Sequence, residues 1–312
     1  MIEHRCARQA LVNARAENVR GALASQAMTA QKLDGEVVAA SIKADLRHRV
    51  EALTDKGVTP GFGTLLVGDD GPSATYVAMK HEESRDLGIA STDVHLPADT
   101  SQQDVLEVVH RFNADPAIDA YLMQHPFPPH LDYEAALLEV RPEKDVDGLH
   151  PVNLGKLVQG VDAPLACTPH GIQVLLEYYD IPIAGRHVVI VGRGLTIGRP
   201  LANLLTLKRP GANAAVTVVH TGVSDLGSFT RQAEILIAAA GSPGLITADM
   251  VKPGAVVVAA GVTFEGRKVV SDVADDVAEV ASWLSPRMGG VGPMTRAMLL
   301  SNTVDAAERS LT

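Results

Sequence analysis

Apolar and polar positions fall into two successive series of strand-length and helix-length segments. After Met28, Val37, Val38, Ile42 and Leu46 recur at helical spacing. The run Gly61-Phe-Gly-Thr-Leu-Leu-Val67 predicts a buried strand, residues 73–87 a helix, Ala90 to Leu96 a strand, Gln102 to Asn113 a helix and Ala117 to Met123 a strand. The Pro-rich break Gln124-His-Pro-Phe-Pro-Pro129 ends this series, at a strand carboxyl end where open α/β sheets bind ligands. A second series starts near residue 171 with a helix, followed by strand 187–191, helix 199–207 and strands 215–220, 234–240 and 255–260. A last helix is expected over Pro293 to Arg309, with Met294, Ala297, Met298 and Val304 apolar, returning to pack on the first domain. Strands alternating with helices imply parallel sheets covered by helices. The expected fold class is α/β with two α/β domains: residues 28–170 completed by 293–312, and residues 171–292 as a Rossmann-like unit.

Length and composition fit this division. A chain of 312 residues, 46 % hydrophobic and 21 % charged, holds about two globular domains. Residues 1–27 carry four Arg and two acids without a signal-peptide apolar segment. Two readings of them stay open: an extension ahead of a functional start near Met28, or an ordered N-terminal helix. With 27 Lys and Arg against 37 Asp and Glu, the net charge of −10 predicts no phosphate-neutralising face and no nucleic-acid partner. The apolar runs are far shorter than the roughly 20 residues of a membrane helix, so no membrane span is expected. Cys6 and Cys167 are the two cysteines, with no Cys or His at metal-ligand spacing. No disulfide and no metal site are expected, which suits a reducing cytoplasm.

The sharpest local signal is Val188-Val-Ile-Val-Gly192-Arg193-Gly194-Leu-Thr-Ile-Gly198, an apolar strand running through a Gly-rich turn into a helix. Glycine lets the backbone approach a pyrophosphate, and the helix N-terminus offers unpaired N–H groups. A purely structural tight turn is the competing reading. The next strand ends in Val219-His220-Thr221-Gly222, without the acid that holds a 2′-hydroxyl in NAD sites. Arg193 is placed to pair with a 2′-phosphate, so NADP is favoured and NAD stays open. The alternative for Arg193 is a solvated loop charge.

Tyr76 and Lys80 are four apart on a predicted helix and share a face, as a surface pair also would. Beside Ser73-x-x-Tyr76-Val-x-x-Lys80 stand Gln124-x-Pro126-x-Pro128, Asp145-Val-Asp147-Gly148, Cys167-Thr-Pro-x-Gly171, the Gly-Arg turn and Gly289-Gly-Val-Gly-Pro-Met-Thr295. From about residue 28 to the C-terminus, this ordered series resembles the bifunctional methylenetetrahydrofolate dehydrogenase/methenyltetrahydrofolate cyclohydrolase family. The resemblance implies a folate cleft between the domains. In it a hydride passes from 5,10-methylenetetrahydrofolate to NADP⁺, and water then opens the methenyl product to 10-formyltetrahydrofolate. It makes Lys80 the central ring-opening residue, a role that needs an amine whose proton affinity is lowered. Gln124 corresponds to the amide that holds this lysine, Tyr76 to the residue lining the folate ring, and Asp147 to the carboxylate that accepts from the pterin's N–H donors. Met288 and Gly289 border the folate, and Gly192, Arg193, Gly194, Ile197, Thr221 and Val262 the dinucleotide. The resemblance also implies a cytoplasmic homodimer.

Asp145 has a competing reading as a turn-forming acid and Cys167 as a small buried side chain. His125, His130 and His150 are read as non-ligands. The chain departs from the family pattern at His125, where an apolar residue is usual, and at Met288, where a loop proline is lost. Ala259-Ala260-Gly261, Ser271-Asp272-Val273 and Gly194 also depart from it. A paralogue with one activity, or a silent folate- or nucleotide-binding protein, are the alternatives to the bifunctional enzyme.

Overall fold

In the computed structural model, which describes residues 30–265 and 268–311, the chain forms two parallel sheets and one hairpin. The readings of residues 1–27 lie outside the described residues. The first stretch runs β1 (Gln31–Lys32), α1 (Gly35–Thr54), β2 (Gly61–Val67), α2 (Gly71–Asp86), β3 (Ala90–Leu96), α3 (Gln102–Ala114) and β4 (Ala120–Met123). β2, β3 and β4 form a three-stranded sheet in the order β3-β2-β4, all parallel. All seven residues of central β2 are buried, as an unbroken apolar run in a parallel sheet requires. Edge strand β3 has no fully buried residue. The third strand starts at Ala120 rather than Ala117. Asp115 accepts from the Ala117 N–H at 2.9 Å and so folds residues 115–118 into a turn.

The chain continues through α4 (Tyr133–Leu138), α5 (Pro151–Gln159) and α6 (Cys167–Tyr178). It then forms β5 (His187–Val191), α7 (Gly198–Thr206), β6 (Ala215–Val219), α8 (Leu226–Thr230), β7 (Ile235–Ala238) and β8 (Val256–Ala259). The antiparallel hairpin β9 (Val262–Glu265) and β10 (Lys268–Ser271), then β11 (Trp283–Leu284) and α9 (Val291–Arg309), complete it. The larger sheet has the order β1-β11-β8-β7-β5-β6 with every pair parallel. The chain steps from β5 to β6 on one side and returns to β7 on the other. The carboxyl end of β5 is therefore a switch point, where such sheets open a ligand crevice. In the smaller sheet β2 has the same position between β3 and β4.

The caps explain where the helices begin. Asp34 accepts from the Glu36 N–H (3.0 Å) at the start of α1, and Asp70 from the Ser73 N–H (2.9 Å) at the start of α2. With Pro72 in its first turn, α2 thus begins at Gly71, two residues ahead of the expected start. α9 is buried on nearly every side, with Met294, Ala297, Leu299, Leu300 and Val304 in the core, and it packs between α1 and α6. Asn302 on α9 donates to the carbonyls of Val146 (2.8 Å) and Leu165 (3.0 Å), joining two loops distant in sequence. Gly35 donates to Gly289 O at 2.8 Å, and a Cβ at Gly35 would overlap the Gly290 carbonyl. A side chain there would force α1 and the 286–290 loop apart.

Candidate active site

α2 carries Tyr76 and Lys80 beneath the carboxyl ends of β2 and β4. The Gln124 N–H bonds to Leu65 O (2.8 Å), which fixes this residue where β4 ends. Lys80, only 5 % exposed, donates from Nζ to Gln124 Oε1 at 3.0 Å, and its amine lies 4.8 Å from the Tyr76 ring centroid. The Gln124 amide nitrogen donates to the His125 carbonyl at 2.8 Å, so the amide oxygen is the one turned to the lysine. Asp147 stands in the turn before α5, where the neighbouring Asp145 holds the backbone. Asp145 accepts from the Gly148 N–H (3.1 Å), the His150 N–H (2.8 Å) and Asn153 Nδ2 (2.9 Å), which makes it the turn-forming acid. A Cβ at Gly148, whose φ is +69°, would run into the Leu165–Ala166 backbone.

These side chains open on a cleft of about 280 Å³, lined on the folate-motif side by Tyr76, Lys80, Gln124 and Asp147. Tyr133, Cys167, Thr168 and Thr295 complete that wall. Thr196, from the Gly-rich turn after β5, faces the same space. The Thr168 and Thr295 hydroxyls are 2.9 Å apart and join α6 to α9 at the rim. His125 is exposed, its ring edge-on to Tyr133 at 5.3 Å.

The electrostatics follow from burial. Burial lowers the proton affinity of Lys80, with Asp147 and Cys167 opposing and Arg296 adding to the lowering. Burial raises the Asp147 carboxyl above the usual range, and Lys80 opposes it. Burial holds the Tyr76 phenol protonated, and pushes the Cys167 thiol well up, so the thiolate is disfavoured. Cys167 instead donates to Val146 O at 3.2 Å.

At the second switch point, Gly192 has φ +139°, and a Cβ there would overlap the Ala239 carbonyl. Gly198 packs under Gly192 in the same way, whereas Gly194 has open space on its Cβ side. The Gly192 N–H bonds to Val219 O at 2.8 Å, tying the turn to the end of β6 and placing the exposed Arg193 beside it. No side chain caps α7, so its N-terminus stays available to an anion, which suits a dinucleotide pyrophosphate. Ile197 is half-buried, and Thr221 and Val262 are exposed. Asp272 accepts from the N–H groups of Ala240 (2.6 Å), Gly241 (2.9 Å) and Ser242 (2.6 Å), fixing the loop after β7 that faces Gly192. Met288, 65 % exposed, and Gly289 lie on the loop after β11 and are not among the residues lining the Lys80 cleft.

Sequence reading missed Thr196, Thr168, Thr295, Asp272 and Arg296. Arg296 had a signal: it is the one charge in the otherwise apolar or small run Met294-Thr-Arg-Ala-Met-Leu-Leu300 in the buried first half of α9. Among the described residues, no group of three His, Cys, Asp or Glu stands close enough to hold a metal, and no helix is long and apolar enough to cross a membrane.

Residues 33–147 match the tetrahydrofolate dehydrogenase/cyclohydrolase catalytic-domain family, and residues 166–311 the NAD(P)-binding domain of the same name. A "Bifunctional protein FolD" of Syntrophotalea carbinolica is 56 % identical over 281 residues, 90 % of this chain and 97 % of that protein. The crystal structure of the bifunctional FolD dehydrogenase/cyclohydrolase of Campylobacter jejuni superposes with a TM-score of 0.86 at 39 % identity, covering 90 % of this chain and 99 % of that one. The Trypanosoma brucei enzyme, solved with NADP cofactor and inhibitor, gives 0.85 at 36 % identity, covering 90 % and 98 %.

Because folding lowers the proton affinity of Lys80, the unfolded chain holds more protons at this position than the folded one. Its contribution to stability therefore rises as pH climbs through the folded pKa toward the ordinary 10.5. As pH rises toward 10.5, the thermal midpoint of the parent should gain on that of Lys80→Met. A gap independent of pH contradicts the lowered affinity.

Proposed function

The chain belongs to the tetrahydrofolate dehydrogenase/cyclohydrolase family, and from that premise we propose how its cleft performs the two reactions. It is a bifunctional enzyme of folate one-carbon metabolism, with an NAD(P)-binding domain beside a catalytic domain. The observation that carries the reading is the shared cleft: Lys80 and Gln124 open on the same space as Thr196 of the Gly-rich turn. A one-carbon unit oxidised at that boundary already faces the amine that opens the ring.

The dinucleotide, when bound, accepts the hydride. Gly192 and Gly198 let the turn approach its phosphates, and Ile197, Thr221 and Val262 border it. Arg193, beside the end of β6 where no carboxylate stands, takes the 2′-phosphate, which makes NADP the cofactor. On the substrate side, Tyr76 lies along the folate ring, Asp147 accepts from the pterin's N–H donors, and the 288–289 loop closes the outer edge.

Loss of hydride from 5,10-methylenetetrahydrofolate leaves the cationic methenyl bridge. Water adds to its carbon, and the neutral Lys80 amine takes the proton released. As the carbon–N5 bond breaks, the Lys80 ammonium returns that proton to N5, and the adduct's hydroxyl proton leaves to solvent as the formyl C=O forms on N10. Gln124 fixes the amine for this relay through a neutral oxygen. A carboxylate in its place would stabilise the ammonium and slow proton acceptance. The folate-binding unit is assigned residues 28–170 with 293–312 and the dinucleotide unit 171–292, although β1 crosses over to pair with β11 in the larger sheet. The enzyme acts in the cytoplasm as a homodimer, and the outer edge of β3 is one of the sheet edges open to strand pairing.

Lys80→Met should lower ring opening of supplied methenyltetrahydrofolate by about 100-fold or more while hydride transfer continues. Arg193→Ala should raise KM for NADP⁺ about tenfold and leave that for NAD⁺ nearly unchanged. Ring opening that survives Lys80→Met removes the role given to Lys80. Equal effects on the two cofactors remove the 2′-phosphate reading.

A further inference from the structure

Arg296 stands on α9 next to the cleft-lining Thr295 and behind the Tyr76 ring, and is 9 % exposed. Its Nε donates to Glu83 Oε1 at 2.9 Å, and its guanidinium carbon lies 5.9 Å from the Tyr76 ring centroid. Glu83 is on α2, three residues after Lys80, and the same Oε1 also takes Lys43 Nζ from α1 at 3.0 Å. Its other oxygen, Oε2, is buried with no hydrogen-bond partner among the described residues. Three helices thus meet on one carboxylate that serves two cations, while Glu36 of α1 adds a second negative charge acting on Arg296. Packing alone does not call for this, since apolar side chains fill such a junction at least as stably.

The geometry gives the cluster a use. The Lys80 amine and the Arg296 guanidinium both attend the Tyr76 ring, at 4.8 and 5.9 Å. Lys80 faces Tyr76 on its own helix, Asp147 from the turn before α5, Cys167 at the start of α6 and Arg296 from α9. Tyr133 of α4 lines the same cleft with its phenol held protonated by burial, and the adjacent His81 turns away to Thr64 at 2.7 Å. Asp147 and Cys167 favour an ammonium at Lys80, and Arg296 is the neighbour that opposes it.

We propose that Arg296 and Glu83 are positioning residues for ring opening: Arg296 holds the Tyr76 ring beside Lys80 and sets a positive charge next to its amine, and Glu83 determines how much of that charge the amine meets. The inference rests on the reading of Lys80 as the ring-opening residue. A purely structural pair would, when broken from either side, affect the enzyme in the same direction. An electrostatic pair gives opposite signs. Without Arg296 the amine keeps its proton to higher pH; without the Glu83 charge Arg296 acts undiminished and the proton leaves at lower pH.

The test supplies methenyltetrahydrofolate directly and records enzymatic ring opening against pH for the parent, Arg296→Gln, Glu83→Gln and Arg296→Lys. The Lys80-dependent limb of the profile should move up by about half a pH unit in Arg296→Gln and down by a similar amount in Glu83→Gln. Arg296→Lys should keep the parent's limb, because it keeps the charge. Movement of both Gln variants in one direction, or of neither, overturns the proposal. Should Arg296→Gln fail to fold, a downward limb in Glu83→Gln together with an unmoved limb in Arg296→Lys supports the proposal, and an unmoved or upward limb in Glu83→Gln overturns it. A parent that opens no ring overturns the reading of Lys80 instead, which separates the two failures.

Discussion

The chemistry of the cleft depends on one interaction, the 3.0 Å hydrogen bond from a buried lysine amine to a neutral amide oxygen. Burial makes the charged form of Lys80 costly, and Gln124 holds the side chain without restoring that charge as a carboxylate would. Asp147 is the largest influence favouring the charged amine, yet burial raises its own proton affinity and limits that influence. The site therefore holds an amine that gives up its proton more readily than an exposed lysine does.

Much of the fold serves to hold that arrangement. β2 fixes Gln124 through Leu65, Asp70 starts the helix that carries Tyr76 and Lys80, and Asp145 folds the turn that presents Asp147. The C-terminal helix ties these pieces together. Asn302 bonds the loops at Val146 and Leu165, Thr295 meets Thr168 at the rim, and Arg296 engages α2 through Glu83. On the other side, Gly192 brings the turn after β5 against Ala239, and Thr196 then looks into the lysine cleft. Two sheets, each with its chain reversal at a central strand, thus aim their carboxyl ends at one space.

The sequence made the long apolar strands legible because a parallel strand buried on both faces needs an unbroken apolar run, as in Gly61–Val67 and His187–Val191. β1 and β11 escaped it. Each has two residues, and they exist by pairing with each other and with β8 rather than by any local pattern. Tyr76 and Lys80 were legible as a helical pair, but their spacing is equally that of a surface pair. What distinguishes them is burial by Asp147, Cys167 and α9, which are remote in sequence. Arg296 stood out only as a charge in an apolar helix, and its partners Glu83 and Tyr76 lie more than 200 residues earlier. The Asp272 cradle was hidden for a similar reason, since its three partners are backbone groups some 30 residues away.

The central claim is that one cleft carries out both hydride loss and ring opening. It is tested most directly by supplying 5,10-methylenetetrahydrofolate with NADP⁺ and following reduced cofactor and methenyltetrahydrofolate separately in the same reaction. The account predicts that reduced cofactor accumulates while the methenyl compound stays far below it, because Lys80 opens the ring where it forms. Methenyl product rising in step with reduced cofactor, or no reduced cofactor with either NADP⁺ or NAD⁺, would contradict it.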